Sequence, residues 1–381
     1  MYSLQQFGHM IRDTVRISAY EAALKRAVQP GSVVVDIGAG TGIFALMACQ
    51  YGARHVYAIE PNPLITLGPE MAAANGYADR ITFIRAMSHT IELPEKADLV
   101  IGDIRGRLPP FEVMVNVFKD ARARFLNPGG RVIPERDTIY ATFISDAGKY
   151  DAEVTRPWVS NPMGIKMDTV LPIITNTMMP DPIENPDAVL TAQKWATLDY
   201  AGGETTWHDQ PFTWDVSEAM PLHFVAVWFD ALLFDEIGFS NAPGAHAPQV
   251  YQRILLPLKQ PIEVAAGERV TLELKISPFN DDYNFRWTTR VYADGATVPR
   301  IEYQQTTFYS LPLFALRKRA AAFVPQITSY GRMTARALTL MQHGDPLSAV
   351  AATLLVEFAQ ALPDHAAALA FVAGLSQHYS E

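Results

Sequence analysis

The chain has 381 residues and a single cysteine, Cys49, which excludes an internal disulfide framework and fits a reducing compartment. It has no uninterrupted apolar run of about 18 residues, so no transmembrane helix is expected. Residues Met1 to Arg16 lack an apolar core segment and a small-residue cleavage site, so no secretory leader is expected. Basic side chains are in the minority, 31 against 40 acidic, for a formal charge of −9. That balance argues against a nucleic-acid coat or a basic membrane-binding face, although Arg105, Arg107, Arg122 and Arg124 lie close enough to form a local basic groove. His343, His365 and His378 have neither metal-ligand spacing nor a cysteine partner, so no metal site is expected. What is present is a 49% apolar composition, ample for a core, in a length that suggests two or three domains. These features predict a soluble, cytoplasmic protein with no membrane or nucleic-acid partner.

The first third alternates strands and helices. Val33-Val34-Val35-Asp36 reads as a buried parallel strand, and Ile43 to Tyr51 as a helix stopped by Gly52. His55 to Glu60, Ile81 to Arg85 and Ala97 to Gly102 read as further strands. Pro63 to Asn75 and Phe111 to Leu126 read as the helices between and after them, the latter closed by Asn127-Pro128-Gly129-Gly130. Such alternation builds a parallel sheet with helices on both faces. From about Arg131 the chain becomes rich in alternating strands and turn residues, as in Thr138 to Ile144, His223 to Phe229, Arg269 to Ile276 and Phe285 to Tyr292. Phe285 and Trp287 alternate along one such strand and are expected in its core. Met163 to Asp187 does not alternate and reads as an excursion. Beyond Arg317-Lys318-Arg319 the texture turns helical over Met333 to Gln342, Ser348 to Leu362 and Asp364 to His378, with Asp364 placed as an N-cap. The predicted fold is a Rossmann-like α/β domain (1–134, with N-terminal helices), an all-β barrel-like domain (135–316) and a small helical C-terminal domain (317–381).

Between the first strand and helix stands Asp36-Ile-Gly38-Ala-Gly40-Thr-Gly42. Residues without Cβ atoms let the backbone turn sharply and approach a ligand. A dinucleotide fingerprint wants its third glycine three positions after the second; that position is Ile43, and glycine comes one residue early. Glu60, at the end of the second strand, lies where a carboxylate accepts hydrogen bonds from both ribose hydroxyls. Gly-x-Gly-x-Gly after an acidic strand end, with a second strand ending in Glu, is the pattern of S-adenosylmethionine enzymes. Cys49, within the following helix, reads as a packed small side chain.

Over about the first 300 positions these residues resemble the protein arginine methyltransferase family, as a divergent, bacterial-like member with altered substrate loops. The resemblance rests on Tyr2 to Phe7-Gly8, Met10-Ile-Arg-Asp13 and Val15-Arg16 to Tyr20, on Val33 to Glu60, on Ile91 to Asp98, and on Phe125 to Pro134. It implies a Rossmann domain followed by a β-barrel, a dimerisation arm at Met163 to Asp187, and a homodimer. It also implies that the N-terminal helices fold over S-adenosylmethionine, with Arg16 holding the cofactor's carboxylate and Ser88 and His89 on the adenine side. The family's two substrate glutamates fall on Asp103 and Glu112 in Gly102-Asp-Ile-Arg-Gly-Arg-Leu-Pro-Pro-Phe-Glu112. Two carboxylates suit a guanidinium, which offers a planar fork of donors and stays charged.

Four departures stand out. Asp103 is one methylene shorter than glutamate, and Arg105 and Arg107 bring positive charge into the same hairpin, where they can neutralise its carboxylates. The family's Thr-His-Trp loop appears as Gln249-Val250-Tyr251, so the histidine that pairs with the acid matching Asp13 is absent; His246 is nearby in sequence only. The adenine-side acid expected near Ser88 is also missing, with His89 in its place. The expected activity is methyl transfer from S-adenosylmethionine to a guanidinium nitrogen of a peptide or small molecule. The alternatives are a different nitrogen or oxygen nucleophile, or a cofactor-binding scaffold that has lost catalysis. The C-terminal helices weakly resemble small winged-helix-type domains that bind peptides; a stabilising extension is the competing reading.

Overall fold

The computed structural model describes all residues except Met1, Arg107, Pro110, Phe111, 182–186, 189, 246–247, 249, 280–281, 311–316, 319 and 381. Contacts divide the chain into two compact units, Met1–Ser310 and Leu311–Glu381.

The first unit opens with two helices, α1 (Leu4–Arg12) and α2 (Thr14–Ala27). Ser3 and Gln6 form a reciprocal capping box at the start of α1, satisfying amides that have no partner inside the helix. Five strands follow: β1 (Val33–Ile37), β2 (His55–Ile59), β3 (Ile81–Ile84), β4 (Ala97–Gly102) and β5 (Leu126–Ile133). They form one parallel sheet in the order β3-β2-β1-β4-β5. β1 is central and buried at all five positions, which explains its unbroken β-branched run. The chain reverses direction of winding between β1 and β4, and ligands bind open α/β sheets at the carboxyl ends of strands beside such a switch. Asp36 and Asp103 both lie there.

Two local readings change in detail. The helix expected over Pro63 to Asn75 is a 3₁₀ turn, Pro63–Leu67, followed by α4 (Gly68–Ala74), because Pro69 has no N–H to continue a helix from the preceding turn. After α3 (Ile43–Gln50) and α4, the helix α5 (Glu112–Arg124) gives way not to a free turn but to β5 itself. Its register on β4 jumps from Ala97↔Leu126 to Leu99↔Arg131, so Asn127-Pro128-Gly129-Gly130 bulges out within the strand.

Beyond β5 the strands are antiparallel. The larger sheet runs Thr206–Trp207, Gln193–Asp199, Arg136–Ser145, Met220–Phe234, Arg253–Val264, Met179–Asp181, with Ile237–Ser240 and Asp187–Ala188 paired alongside. The smaller runs Phe212–Asp215, Arg269–Phe279, Asp282–Tyr292, Ile301–Thr306. Phe285 and Trp287 are fully buried, as their alternation predicts, and one continuous apolar core joins these sheets to the parallel one. The excursion carries the short turns Asp168–Val170 and Leu171–Ile174, and exposes Met163, Ile165 and Ile173.

The described residues of the second unit include the helices Ser329–Gln342, Leu347–Glu357 and His365–Tyr379. Thr328 and Asp364 cap the first and third, and Met333, Ala337, Leu340, Val350, Leu354 and Val372 build a core of its own. No described helix is long and apolar enough to cross a membrane, and the described residues contain no cluster of metal-ligating side chains.

Candidate active site

The carboxyl ends of β1, β2 and β4, with α1 laid over them, enclose a cavity of about 740 Å³. Gly38, Gly40, Glu60 and Ser88 line one part of it; Arg16, Asp103, Ile104, Val250 and Tyr251 line another. Asp36, Gly42 and His89 are not among its walls. Asp36 is fully buried beneath it, Gly42 starts α3 with φ +93°, and His89 is exposed.

The glycines are close to obligatory. Gly38 has φ +73°, and a Cβ there would meet Ile104 Cγ2 at 2.4 Å; Gly40 has φ +58°, and its Cβ would meet the Phe7 ring at 2.6 Å. Asp36 Oδ2 accepts Ala45 N–H at 3.1 Å while Oδ1 is buried without a partner. Burial raises this carboxyl to about 8, against the Ala45 hydrogen bond and with the Glu60 charge adding repulsion. Glu60 accepts Gly40 N–H at 3.0 Å and Asn62 N–H at 2.8 Å, which fixes the carboxylate at the cavity wall. Bare backbone at Gly38 and Gly40 and a fixed carboxylate at the cavity wall fit a nucleoside-bearing cofactor.

The Asp103 side is closed by arginine. Asp103 Oδ1 accepts Arg105 Nη1 at 2.7 Å and Tyr251 Oη at 2.5 Å, and Oδ2 accepts Arg16 Nε. A carboxylate offers about four lone-pair positions, and three are taken. Burial would raise its pKa, but Arg16 and then Arg105 outweigh that and hold it below the usual carboxylate range. Arg105 is itself buried. It grips Asp137 with Nε at 2.7 Å and Nη2 at 3.0 Å, and donates to Tyr20 Oη at 2.6 Å. Tyr200 Oη completes the set on Asp137 at 2.8 Å. Two guanidinium groups thus face two carboxylates, and the cluster is charge-balanced. Arg16 Nη1 also donates to Met10 O at 3.1 Å, tying α1 to α2.

The expectation that a hairpin arginine can neutralise Asp103 holds for Arg105, whereas Asp137, Tyr20 and Tyr200 were not expected as members of the cluster. The only available signal was a buried-strand aspartate in Arg136-Asp137-Thr138. The Glu112 side chain, Arg107, His246 and Gln249 lie outside what is described. Val250 N–H donates to Asp13 Oδ2 at 2.8 Å, so a backbone amide occupies the place of the absent histidine. No basic groove forms from the described arginines. Arg105 is buried, Arg122 Nη1 donates to Tyr200 O, and Arg124 pairs with Asp120 and donates to Ser88 O and Ile91 O.

A parallel sheet in this order, with a glycine-rich first turn and an acid closing the second strand, defines a Rossmann-type methyltransferase fold. A family model for ribosomal protein L11 methyltransferase (PrmA) matches residues 14–134. The chain is 32% identical to a probable histone-arginine methyltransferase 1.4 of Arabidopsis thaliana, over 70% of its own length and 53% of that protein. It is 28% identical to a protein arginine N-methyltransferase 1 of Oryza sativa subsp. indica, over 72% of its own length and 73% of that protein. In three dimensions it resembles the Trypanosoma brucei PRMT1 enzyme-prozyme heterotetrameric complex with AdoHcy, with TM-score 0.67 and 23% identity over 79% of this chain and 96% of that one. It also resembles Arabidopsis thaliana protein arginine methyltransferase 10, with TM-score 0.65 and 20% identity over 80% of this chain and 98% of that one. The chain is related to the protein arginine methyltransferases, and it spans about half the length of the curated relatives that it matches at 32% identity.

Proposed function

We propose that this chain is an S-adenosylmethionine-dependent methyltransferase acting on a guanidinium nitrogen of a peptide or small molecule. The observation that carries the reading is the single cavity in which Gly38, Gly40 and Glu60 share walls with Arg16 and Asp103. S-adenosylmethionine supplies a methyl group on a positively charged sulfur. Gly38 and Gly40 admit it against bare backbone, Glu60 holds its ribose hydroxyls, Arg16 meets its carboxylate, and Ser88 lies on the adenine side with His89 beyond. Asp36 and Gly42 shape the turn beneath. Asp103, with Glu112, orients the acceptor nitrogen at the methyl group, and the main catalytic contribution is proximity and alignment. Kinship supports a guanidinium acceptor and an oligomer built through 163–187, where Met163 and Ile165 are exposed and Met167 and Leu171 half-covered. The expected assembly is a homodimer in the cytoplasm.

A second reading is favoured by one observation: among the described residues, three donors leave Asp103 a single free lone-pair position, too few for the two-pronged grip that a guanidinium prefers. That arrangement suits an uncharged nitrogen or oxygen acceptor. The test is a reaction with methyl-labelled S-adenosylmethionine against lysate peptides and free metabolites, free arginine included, read by mass spectrometry. Label on arginine side chains supports the first reading, and label on other atoms the second. No labelled product from any pool, together with normal binding of S-adenosylhomocysteine, would leave only a cofactor-binding scaffold.

A further inference from the structure

A second cavity lies between α5 and the antiparallel sheets, and at about 960 Å³ it is larger than the reaction cavity. The two share no wall residue. Val115 of α5, with Leu198, Leu274 and Ile276, gives it apolar walls, and Trp195 and Trp207 form a corner in it. Strand pairing sets that corner. Trp207 stands opposite Ala196, next to Trp195, and the two indoles meet edge to face, with centroids 5.5 Å apart and planes at 77°. Trp195 also packs on Phe285 at 6.0 Å between centroids, which holds its ring in place.

Trp195 is only 2% exposed. A buried indole N–H ordinarily finds an acceptor, as Trp214 Nε1 does at Thr191 O, 2.7 Å away. Trp195 Nε1 has no acceptor among the described residues, yet it is not sealed in; the sealed, unpaired indole nitrogens are those of Trp158 and Trp287. The little surface that Trp195 keeps therefore includes its N–H, and the residue is a wall of the cavity. Trp207 Nε1, on a half-buried ring, is likewise unpaired and accessible. The charged side chains of the lining, Lys275, Arg286 and Asp209, are exposed and of mixed sign, so the cavity does not select an ion. We propose that it is a second ligand site, for a small, flat, uncharged molecule that carries carbonyl-type acceptors. The ring of such a ligand lies against the two indoles, and its acceptor takes the Trp195 N–H. Small-molecule sites have this volume and this make-up, apolar walls with a few directed polar groups. A hydrogen bond to an indole N–H is strongest where the surroundings are apolar, as they are here. The site is independent of the proposed methyl transfer.

The experiment uses the full chain, isotope-labelled at the tryptophan indole nitrogens, with Trp195→Phe and Trp207→Phe assigning the two signals in nitrogen-correlated NMR. The probes are caffeine, which is flat, uncharged and bears carbonyls; indole, which is flat without a carbonyl; and acetamide, a carbonyl without a ring. Each titration is run with and without S-adenosylhomocysteine, so uptake by the reaction cavity is seen apart, since neither tryptophan is among that cavity's walls. Caffeine should move the Trp195 Nε1–H signal in both series and bind more tightly than indole or acetamide. Trp195→Phe should weaken caffeine about tenfold, the order of one hydrogen bond. The proposal is overturned if caffeine at millimolar concentration leaves both signals unmoved. It is equally overturned if indole binds as tightly as caffeine, which would make the cavity a trap for apolar surface. The last probe is acetyl-Gly-Arg-Gly amide. If that peptide moves the Trp195 signal and caffeine does not, the cavity belongs to the path of a peptide and the proposal fails. Should Trp195→Phe fail to fold, the Trp207 signal and the contrast among the probes in the wild type decide.

Discussion

The two sides of the reaction cavity are built on opposite principles. The cofactor side is made of absences: glycines whose missing side chains leave room. The Asp103 side is made of surplus, with three donors on one buried carboxylate and a second carboxylate behind to balance the second arginine. The first arrangement is ready for a ligand as it stands. The second must exchange a protein hydrogen bond before it grips a two-pronged cation. Kinship with arginine methyltransferases therefore says more about the cofactor side of this chain than about its acceptor side.

The largest expected effect is on the cofactor side. Gly40→Val places a β-branched residue at φ +58°, with its Cβ 2.6 Å from the Phe7 ring. Left-handed backbone costs such a residue on the order of 1–2 kcal/mol before any clash. Phe7 is displaced, α1 loses its seat over the turn, and calorimetry should detect no S-adenosylhomocysteine binding while circular dichroism retains the fold. Retained affinity would show that the bare backbone is not what receives the cofactor.

The Asp103 side yields the next effect. Asp137→Asn leaves the Arg105 guanidinium buried with its main partner neutralised, a change worth about 3–5 kcal/mol of destabilisation. Denaturant titration should show it. The double variant Arg105→Met/Asp137→Leu removes both charges together and should be less destabilised than Asp137→Asn, its remaining cost being mainly the Tyr200 hydroxyl left without its acceptor. It also leaves Asp103 with only Arg16 and Tyr251. If the acceptor is a guanidinium, the double variant should accept it as well as or better than the wild type does. The single change Arg105→Met cannot make this comparison cleanly, since it strands Asp137.

Much of this contrast was legible in the residues. Val33 to Gly42 announces a buried strand and a ligand turn because all the information is local: β-branched residues, an acid and three spaced glycines. Asp364 as a helix cap and Phe285 with Trp287 as core follow from equally short-range rules. Arg105 shows where such reading stops. Its charge and its nearness to Asp103 were visible, but its principal partner, Asp137, is 32 positions away on a strand of another sheet. The Val250–Asp13 bond closes 237 positions. Nothing in either segment signals the other, and a main-chain donor standing in for a histidine leaves no trace in side-chain identity. Pro69 was in plain view and breaks the expected 63–75 helix, a local rule that outranked apolar spacing.

A smaller effect appears in the pH dependence of stability. Asp36 titrates near 4 when unfolded and near 8 in the fold, so between those values the folded state holds more proton than the unfolded one. Stability is therefore full below about pH 4 and falls as pH rises towards 8, by at most about 1.4 kcal/mol per pH unit from this group. Asp36→Asn should flatten that slope in melts taken from pH 5 to 8. An unchanged slope would mean that Asp36 is ionised in the fold.

The smallest effect belongs to the joint between the two sides. Asp13 is the N-cap of α2, where its Oδ1 accepts Arg16 N–H at 3.3 Å, and its Oδ2 accepts Val250 N–H at 2.8 Å. The first bond sets the helix that carries Arg16, and the second holds the loop that carries Tyr251, so one carboxylate registers two of the three donors on Asp103. Asp13→Ala should cost about 1–2 kcal/mol through the lost cap and loop anchor. Asp13→Asn keeps an acceptor for one of the two amides and should cost less. The discriminating readout is not stability but the split between the two sides. Affinity for S-adenosylhomocysteine should fall less than methyl transfer in Asp13→Asn, because the glycine turn and Glu60 are untouched and Arg16 alone of the cofactor contacts is loosened, whereas Tyr251 and Arg16 both lose their hold on Asp103. If turnover and cofactor affinity fall by the same factor, the two sides are a single mechanical unit, and the contrast between a ready cofactor side and a restrained acceptor side does not hold.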